Sequence, residues 1–201
     1  MHGTARFTPK RGELHTYRLV HLKHIHLKKQ DHKNLPAQLF IDLGFSSFIR
    51  GSEILSRKYE EGDIVQFKSE KNFHKLSNSS QEVLYTYQAF VEKVTDGDTL
   101  WVRIDLGFDI WIRQKLRLRG LDAPELDTKE GEKVKRFVEG ELKNVPSIII
   151  TTTKPDKYDR YLSDIWINGA NLNKTLPERG LARYMSEVSE NNWNEFNSGR
   201  F

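Results

Sequence analysis

The sequence predicts a mainly β protein with α (α+β): a closed five-stranded barrel with two or three helices, preceded by a small β-rich unit. Three observations carry this reading. Apolar residues recur with a period of two through most of the chain. One amphipathic helical stretch, residues 129–143, falls between the third and fourth strands of the second half. A polar segment of linker composition, residues 72–81 with Ser77-Asn78-Ser79-Ser80, separates that half from an earlier set of strands. The 201 residues therefore divide into 1–82, a small basic β-rich domain, 83–185, the barrel, and 186–201, a polar tail.

In the first unit, residues 17–27 alternate as a strand and residues 38–43 follow as another. Gly44, Ser46 and Ser47 break the pattern before the short run Phe48-Ile49-Arg50-Gly51. The turn Glu60-Glu61-Gly62-Asp63 leads into a strand over 64–68. In the second unit, a strand over 85–94 is followed by the turn Asp96-Gly97-Asp98 and a strand over 100–104. The turn Leu106-Gly107-Phe108-Asp109 then opens a long strand, 110–118. The helix over 129–143 gathers Val134, Phe137, Val138 and Leu142 on one face, with Thr128 as its cap. Residues 147–153 form a β-branched strand and 161–167 another, ended by the tight-turn pair Asn168-Gly169. Asn171 caps a short helix that stops at Gly180, with Pro177 shortening or kinking it. The tail is weakly patterned and forms a short helix at most. Five strands with a helix between the third and fourth describe a small barrel of the oligonucleotide-binding type, an OB-fold-like arrangement.

An apolar fraction of 37% and a charged fraction of 30% describe a polar globular protein able to bury a usable core. No apolar run approaches the ~20 residues that cross a bilayer. The basic stretch 1–11 has no apolar signal core, which points to the cytoplasm, or to secretion after loss of a signal. With no cysteine, disulfides and thiolate metal sites are excluded. Residues 1–85 carry 14 Lys/Arg against 9 Asp/Glu, whereas residues 86–201 carry 18 against 19. This asymmetry suits a polyanion partner; charge alone is equally consistent with a merely basic surface.

The chemistry concentrates between Asp96 and Glu125, with Arg160 added later. Phosphodiester cleavage needs neutralised phosphate charge, a positioned water and an acceptor for its proton. A hard divalent cation on oxygen ligands supplies the first and helps with the second. Asp98, in Asp96-Gly97-Asp98-Thr99, and Asp122, in Asp122-Ala123-Pro124-Glu125, are the natural ligands because each lies at a turn. Pro124 biases Ala123 toward an extended backbone, making its carbonyl a usable neutral ligand. Glu125 has the reach to hold a water beside that ion. Arg117, and Arg160 within Lys157-Tyr158-Asp159-Arg160, offer planar forks that match phosphate oxygens.

Residues 85–184, with these parts in this order, resemble the staphylococcal nuclease (thermonuclease) family. The resemblance implies that Asp98 and Asp122 are calcium (Ca2+) ligands and that Glu125 is a general base or water-positioner. It further implies that Arg117 and Arg160 contact the scissile phosphate, with Lys157 and Tyr158 on the substrate. The implied activity is calcium-dependent cleavage of DNA or RNA to 3′-phosphorylated products. Three departures stand out: Ala123 replaces a frequent threonine, Arg183-Tyr184-Met185-Ser186 lacks the tyrosine pair of some members, and the final helix is absent or curtailed. These touch base stacking and tail packing rather than the acids and arginines. A non-catalytic module holding nucleic acid or a protein is the alternative.

Taken singly, each piece has a plainer reading: a hairpin turn, a loop, a solvated arginine. Trp101, Trp111 and Trp166 lie on strands and suit core or surface packing better than base stacking. His21, His24 and His26 invite a metal reading, but no acidic partner is evident, so an exposed basic strand accounts for them better. The runs Phe40 to Phe45, Phe48 to Ile54 and Tyr59 to Val65 look like the ribosomal-protein type of RNA-binding barrel. On that resemblance Phe45, Phe48 and the basic residues around Lys28 and Arg50 would be nucleic-acid contacts.

Overall fold

The computed structural model describes residues 8–9, 11–21, 39–51, 55, 59–69, 72–76 and 84–185. Residues 22–27 of the first expected strand, with His24 and His26, lie outside the described residues. So do Lys28, residues 77–81 and the 186–201 tail.

The first sheet holds β1 (Thr16–His21), β2 (Leu39–Asp42), β3 (Phe48–Arg50), β4 (Ile64–Ser69) and β5 (Asn72–Lys75) in the order β3-β2-β1-β4-β5. β5 corrects the linker reading of residues 72–75. Its sequence is polar, but Phe73 is buried and its carbonyl accepts the Tyr59 hydroxyl at 2.9 Å. Pairing with β4 does the rest.

The second sheet closes into a barrel. β6 (Thr86–Val94), β7 (Thr99–Asp105) and β8 (Trp111–Leu118) form a meander. β8 pairs in parallel with β11 (Tyr161–Ile167), which pairs antiparallel with β10 (Ile148–Pro155), and β10 returns to β6. Alternate residues line the interior, among them Ala89, Leu100, Val102, Ile104, Leu116, Leu118, Ile150 and Ile165, all buried. Helix α1 (Lys129–Leu142) lays Val134 and Val138 into this core, and the Thr128 hydroxyl accepts the Gly131 N–H at its start. β12 (Ala170–Asn171) leads into α2 (Leu172–Glu178), capped by Asn171 and carrying Pro177 in its last turn. Gly180, at a φ of +66°, ends it. Two-residue strands β9 (Leu121–Asp122) and β13 (Arg183–Tyr184) pair with each other. Among the described residues, no helix is long and apolar enough to cross a membrane.

Unrolled, the barrel runs β8-β7-β6-β10-β11, the same order as the first sheet. The likeness extends to residues. Ile41-Asp42-Leu43-Gly44-Phe45 after β2 recurs as Ile104-Asp105-Leu106-Gly107-Phe108 after β7, and Thr16-Tyr17 on β1 recurs as Thr86-Tyr87 on β6. Both turns keep the same left-handed backbone: φ is +76°, +51° and +55° at Gly44, Phe45 and Ser46, and +79°, +56° and +58° at Gly107, Phe108 and Asp109. Each turn is tied by its aspartate, which accepts the N–H of Gly44 or Gly107 at 2.8 Å.

The two repeats hold each other reciprocally. The Tyr17 hydroxyl donates to the Leu106 carbonyl at 2.8 Å, and the Tyr87 hydroxyl to the Leu43 carbonyl, also at 2.8 Å. Phe108 packs on Tyr17 at 5.4 Å and Phe45 on Tyr87 at 5.3 Å between ring centroids. A Cβ on Gly44 would collide with the Tyr87 hydroxyl, and one on Gly107 with that of Tyr17, so glycine is required by space as well as by φ. Burial pushes both phenols above their ordinary pKa, so they stay protonated and donate. Because Tyr87→Phe leaves the buried Leu43 carbonyl without this donor, it is expected to cost ~1–2 kcal/mol of unfolding free energy. Urea titration measures this; a variant as stable as the parent would show the contact to be idle.

Candidate active site

The acid and arginine positions gather in one cleft of about 500 Å³ at an end of the barrel. Its walls carry Asp98, Arg117, Asp122, Ala123, Glu125, Lys157, Tyr158 and Arg160, the residues expected of the nuclease-type site, but not Phe45, Phe48 or Arg50. Residues from separate places in the chain meet here because β7, β8 and β11 are neighbours in the barrel.

Asp98 is buried at 5% exposure in the turn between β6 and β7. Its backbone N–H donates to Asp96 Oδ1 at 3.1 Å, and its carbonyl accepts from Leu118 N at 2.8 Å. Arg117 meets its carboxylate with both fork nitrogens, Nη1 to Oδ1 at 3.2 Å and Nη2 to Oδ2 at 2.9 Å. Thr99 Oγ1 adds a third donor at 2.8 Å. Burial nevertheless pushes the Asp98 carboxyl up to about 6, with Arg117 opposing the rise and Asp96 adding to it. A cation placed beside this carboxylate would oppose that rise, as Arg117 does.

Asp122 is exposed on β9, across from Arg183 on β13. Arg117 Nη2 also reaches the neighbouring Leu121 carbonyl at 3.4 Å, linking the two acid-bearing turns. Glu125 is exposed too. Its backbone is held where the helix begins: the Glu125 carbonyl accepts Thr128 Oγ1 at 2.6 Å and Thr128 N at 3.0 Å. The cap thus fixes the chain that presents this carboxylate while leaving the side chain free to face water.

Arg160 ends the turn between β10 and β11 and is oriented by Asp156, with Nε at 2.8 Å and Nη2 at 2.6 Å from Oδ2. The Tyr158 and Arg160 N–H groups also donate to Asp156 Oδ1, at 2.8 and 3.1 Å. Burial works to raise the Asp156 carboxyl, but these donors outweigh it and hold it below the ordinary range. Tyr158 projects from this turn at 65% exposure, with Lys157 Nζ 4.8 Å and the Arg160 guanidinium 5.2 Å from its ring centroid. A flat aromatic face beside two cations suits a nucleotide.

Sequence reasoning missed Asp156, whose four-residue spacing from Arg160 in a turn was the available signal. It gave no site role to Asp96, Lys154 or Met185, which stand in the cleft wall. Arg119, also at the wall, is committed elsewhere: it forms a buried pair with Asp164 at 2.7 Å and its carbonyl accepts Asn173 Nδ2 at 3.0 Å. That network braces the back of the cleft.

The residues of the cleft that could hold a cation are Asp98 and Asp122, by their carboxylates, and Ala123, by its carbonyl. These donors are all oxygen, the chemistry of calcium or magnesium. Among the described residues, no three acidic or histidine side chains stand close enough to enclose an ion by themselves. An ion held there would need water or a phosphate oxygen to complete its shell.

Residues 115–198 match the family described as staphylococcal nuclease homologue, so this segment is a domain of that kind. The match takes in Arg117, Asp122, Glu125 and Arg160 and begins after Asp98. The chain is also 37% identical to an uncharacterized protein of Methanocaldococcus jannaschii, over 48% of this chain and 58% of that protein. The likeness thus spans little more than half of the relative's length.

Proposed function

We propose that the cleft hydrolyses phosphodiester bonds of DNA, RNA or both, using calcium and leaving 3′-phosphorylated ends. The observation that carries this reading is the convergence of Asp98, Asp122, Glu125, Arg117 and Arg160 on a single cleft. The staphylococcal-nuclease-type segment containing four of the five supports it.

Asp98, Asp122 and the Ala123 carbonyl would hold the ion, which when bound supplies Lewis-acid neutralisation of phosphate charge. Glu125 orients a water and accepts its proton as the water oxygen attacks phosphorus. The bond to the 5′-oxygen breaks in line, and that oxygen takes up a proton. Arg117 and Arg160 enter preoriented by Asp98 and Asp156, so their remaining N–H groups are aimed before substrate arrives. They stabilise the charge that builds on the phosphate oxygens.

A second reading has its own observation. Both Asp98 oxygens are already engaged, by Arg117 and Thr99. This favours a module that binds nucleic acid or a protein without cutting.

Incubating single-stranded DNA and RNA with the protein, in calcium or in chelator, separates the two. The nuclease reading expects fragments bearing terminal 3′-phosphates in calcium and intact substrate in chelator. Intact substrate in both, from folded protein, would leave the binding module.

A further inference from the structure

Strand β8 buries Leu116 and Leu118 in the barrel, so the alternate positions Trp111, Arg113, Lys115 and Arg117 form a row on its outer face. The row ends at an arginine of the candidate active site. At ~3.3 Å per residue it is on the order of 20 Å long.

The other end is aromatic and open. Trp111 is 51% exposed and leans on Phe90 at 5.5 Å between ring centroids. Across the sheet, Trp101 stands opposite Lys115 and Arg103 opposite Arg113. The Arg113 guanidinium lies 4.1 Å from the Trp101 ring centroid. Arg103 and Arg113 share one carboxylate, Glu92, each at 2.6 Å. Asp105, opposite Trp111, is turned to the Gly107 N–H. With Lys93, Lys115 and Arg117 added, the face carries five cations against two acids.

The first repeat carries the same device. After the shared turn, Phe48-Ile49-Arg50 stands where Trp111-Ile112-Arg113 stands in the second. An aromatic and an arginine two residues apart on the third strand are thus present in both units.

We propose that the outer face of β6, β7 and β8 is a track for a single-stranded polynucleotide. Bases stack on Trp111 and beside Trp101, phosphates run along Arg113 and Lys115, and the strand is delivered to Arg117. Sequence-tolerant single-strand binding rests on such aromatic and cationic surfaces. The inference rests on the nuclease reading for its direction but not for its existence.

The test measures binding in chelator, to prevent cutting, of a roughly twelve-nucleotide oligothymidylate, a length within the usual site size, and of dithymidylate. The parent should bind the longer strand more tightly. Trp111→Ala should weaken the long strand on the order of 10-fold, as loss of one stacked base does, and leave dithymidylate unchanged. Lys115→Gln, a second surface change, should lower the salt slope for the long strand by about 0.7. Equal affinity of the parent for both probes, or unchanged long-strand binding by both variants, overturns the track. Cleavage in calcium is scored apart. Cutting with Trp111-independent binding discards the track alone, whereas Trp111-dependent binding without cutting upholds the track and discards the nuclease.

Discussion

Glu125→Gln is expected to slow cleavage by ~100-fold or more while leaving substrate affinity unchanged, the pattern for a group that acts in the transition state. The substitution preserves shape and removes only the proton acceptor. The structure supports a clean result: the Glu125 side chain is exposed, and the interactions that fix this turn run through its backbone carbonyl to Thr128. Neither helix α1 nor the barrel core should therefore respond. Single-turnover cleavage with a parallel binding titration reads the effect. Undiminished cleavage would remove Glu125 from the chemistry and move the base to another acid of the cleft, Asp96 first.

Arg160→Gln is expected to cost ~100- to 1,000-fold in kcat, with a smaller change in KM, as for loss of one oriented donor to developing charge. Asp156 engages Nε and Nη2 of Arg160 from one side, so the guanidinium has a fixed plane before substrate binds. Lysine offers a point charge without that fork. Arg160→Lys should therefore recover affinity but little of the rate. A rise in KM alone, or full rescue by lysine, would make Arg160 a general electrostatic contact. A loss of activity matched by a loss of stability would show instead that its pairing with Asp156 shapes the turn.

Much of this site was legible because turn chemistry is local. Asp96-Gly97-Asp98 and Asp122-Ala123-Pro124-Glu125 declare themselves by residue type, and Thr128 and Asn171 cap the helices expected of them. Long-range pairing was not legible. Nothing near Asn72 announces that β5 will be held by β4 and Tyr59. β9 and β13 are two residues each, too short for any period to register, yet they place Asp122 beside Arg183. The Asp98–Arg117 pair joins a turn to a distant strand, a contact that periodicity cannot express. The duplicated pentapeptide at 41–45 and 104–108 was written in the sequence throughout. Its meaning emerges only when both turns adopt one backbone and each receives the other repeat's tyrosine. Trp111 lies on a strand, as expected, but its exposure follows from the register of β8 rather than from its type.

The central claim is spatial: the acids and guanidinium groups of one cleft act together on one nucleotide linkage. Diffraction from crystals soaked with calcium and a phosphorothioate dinucleotide addresses it directly. The account expects an ion bound by Asp98, Asp122 and the Ala123 carbonyl, with the linkage between Arg117 and Arg160 and a water on Glu125. A dinucleotide seated elsewhere on the barrel, or a linkage in the cleft that touches neither arginine, would contradict it.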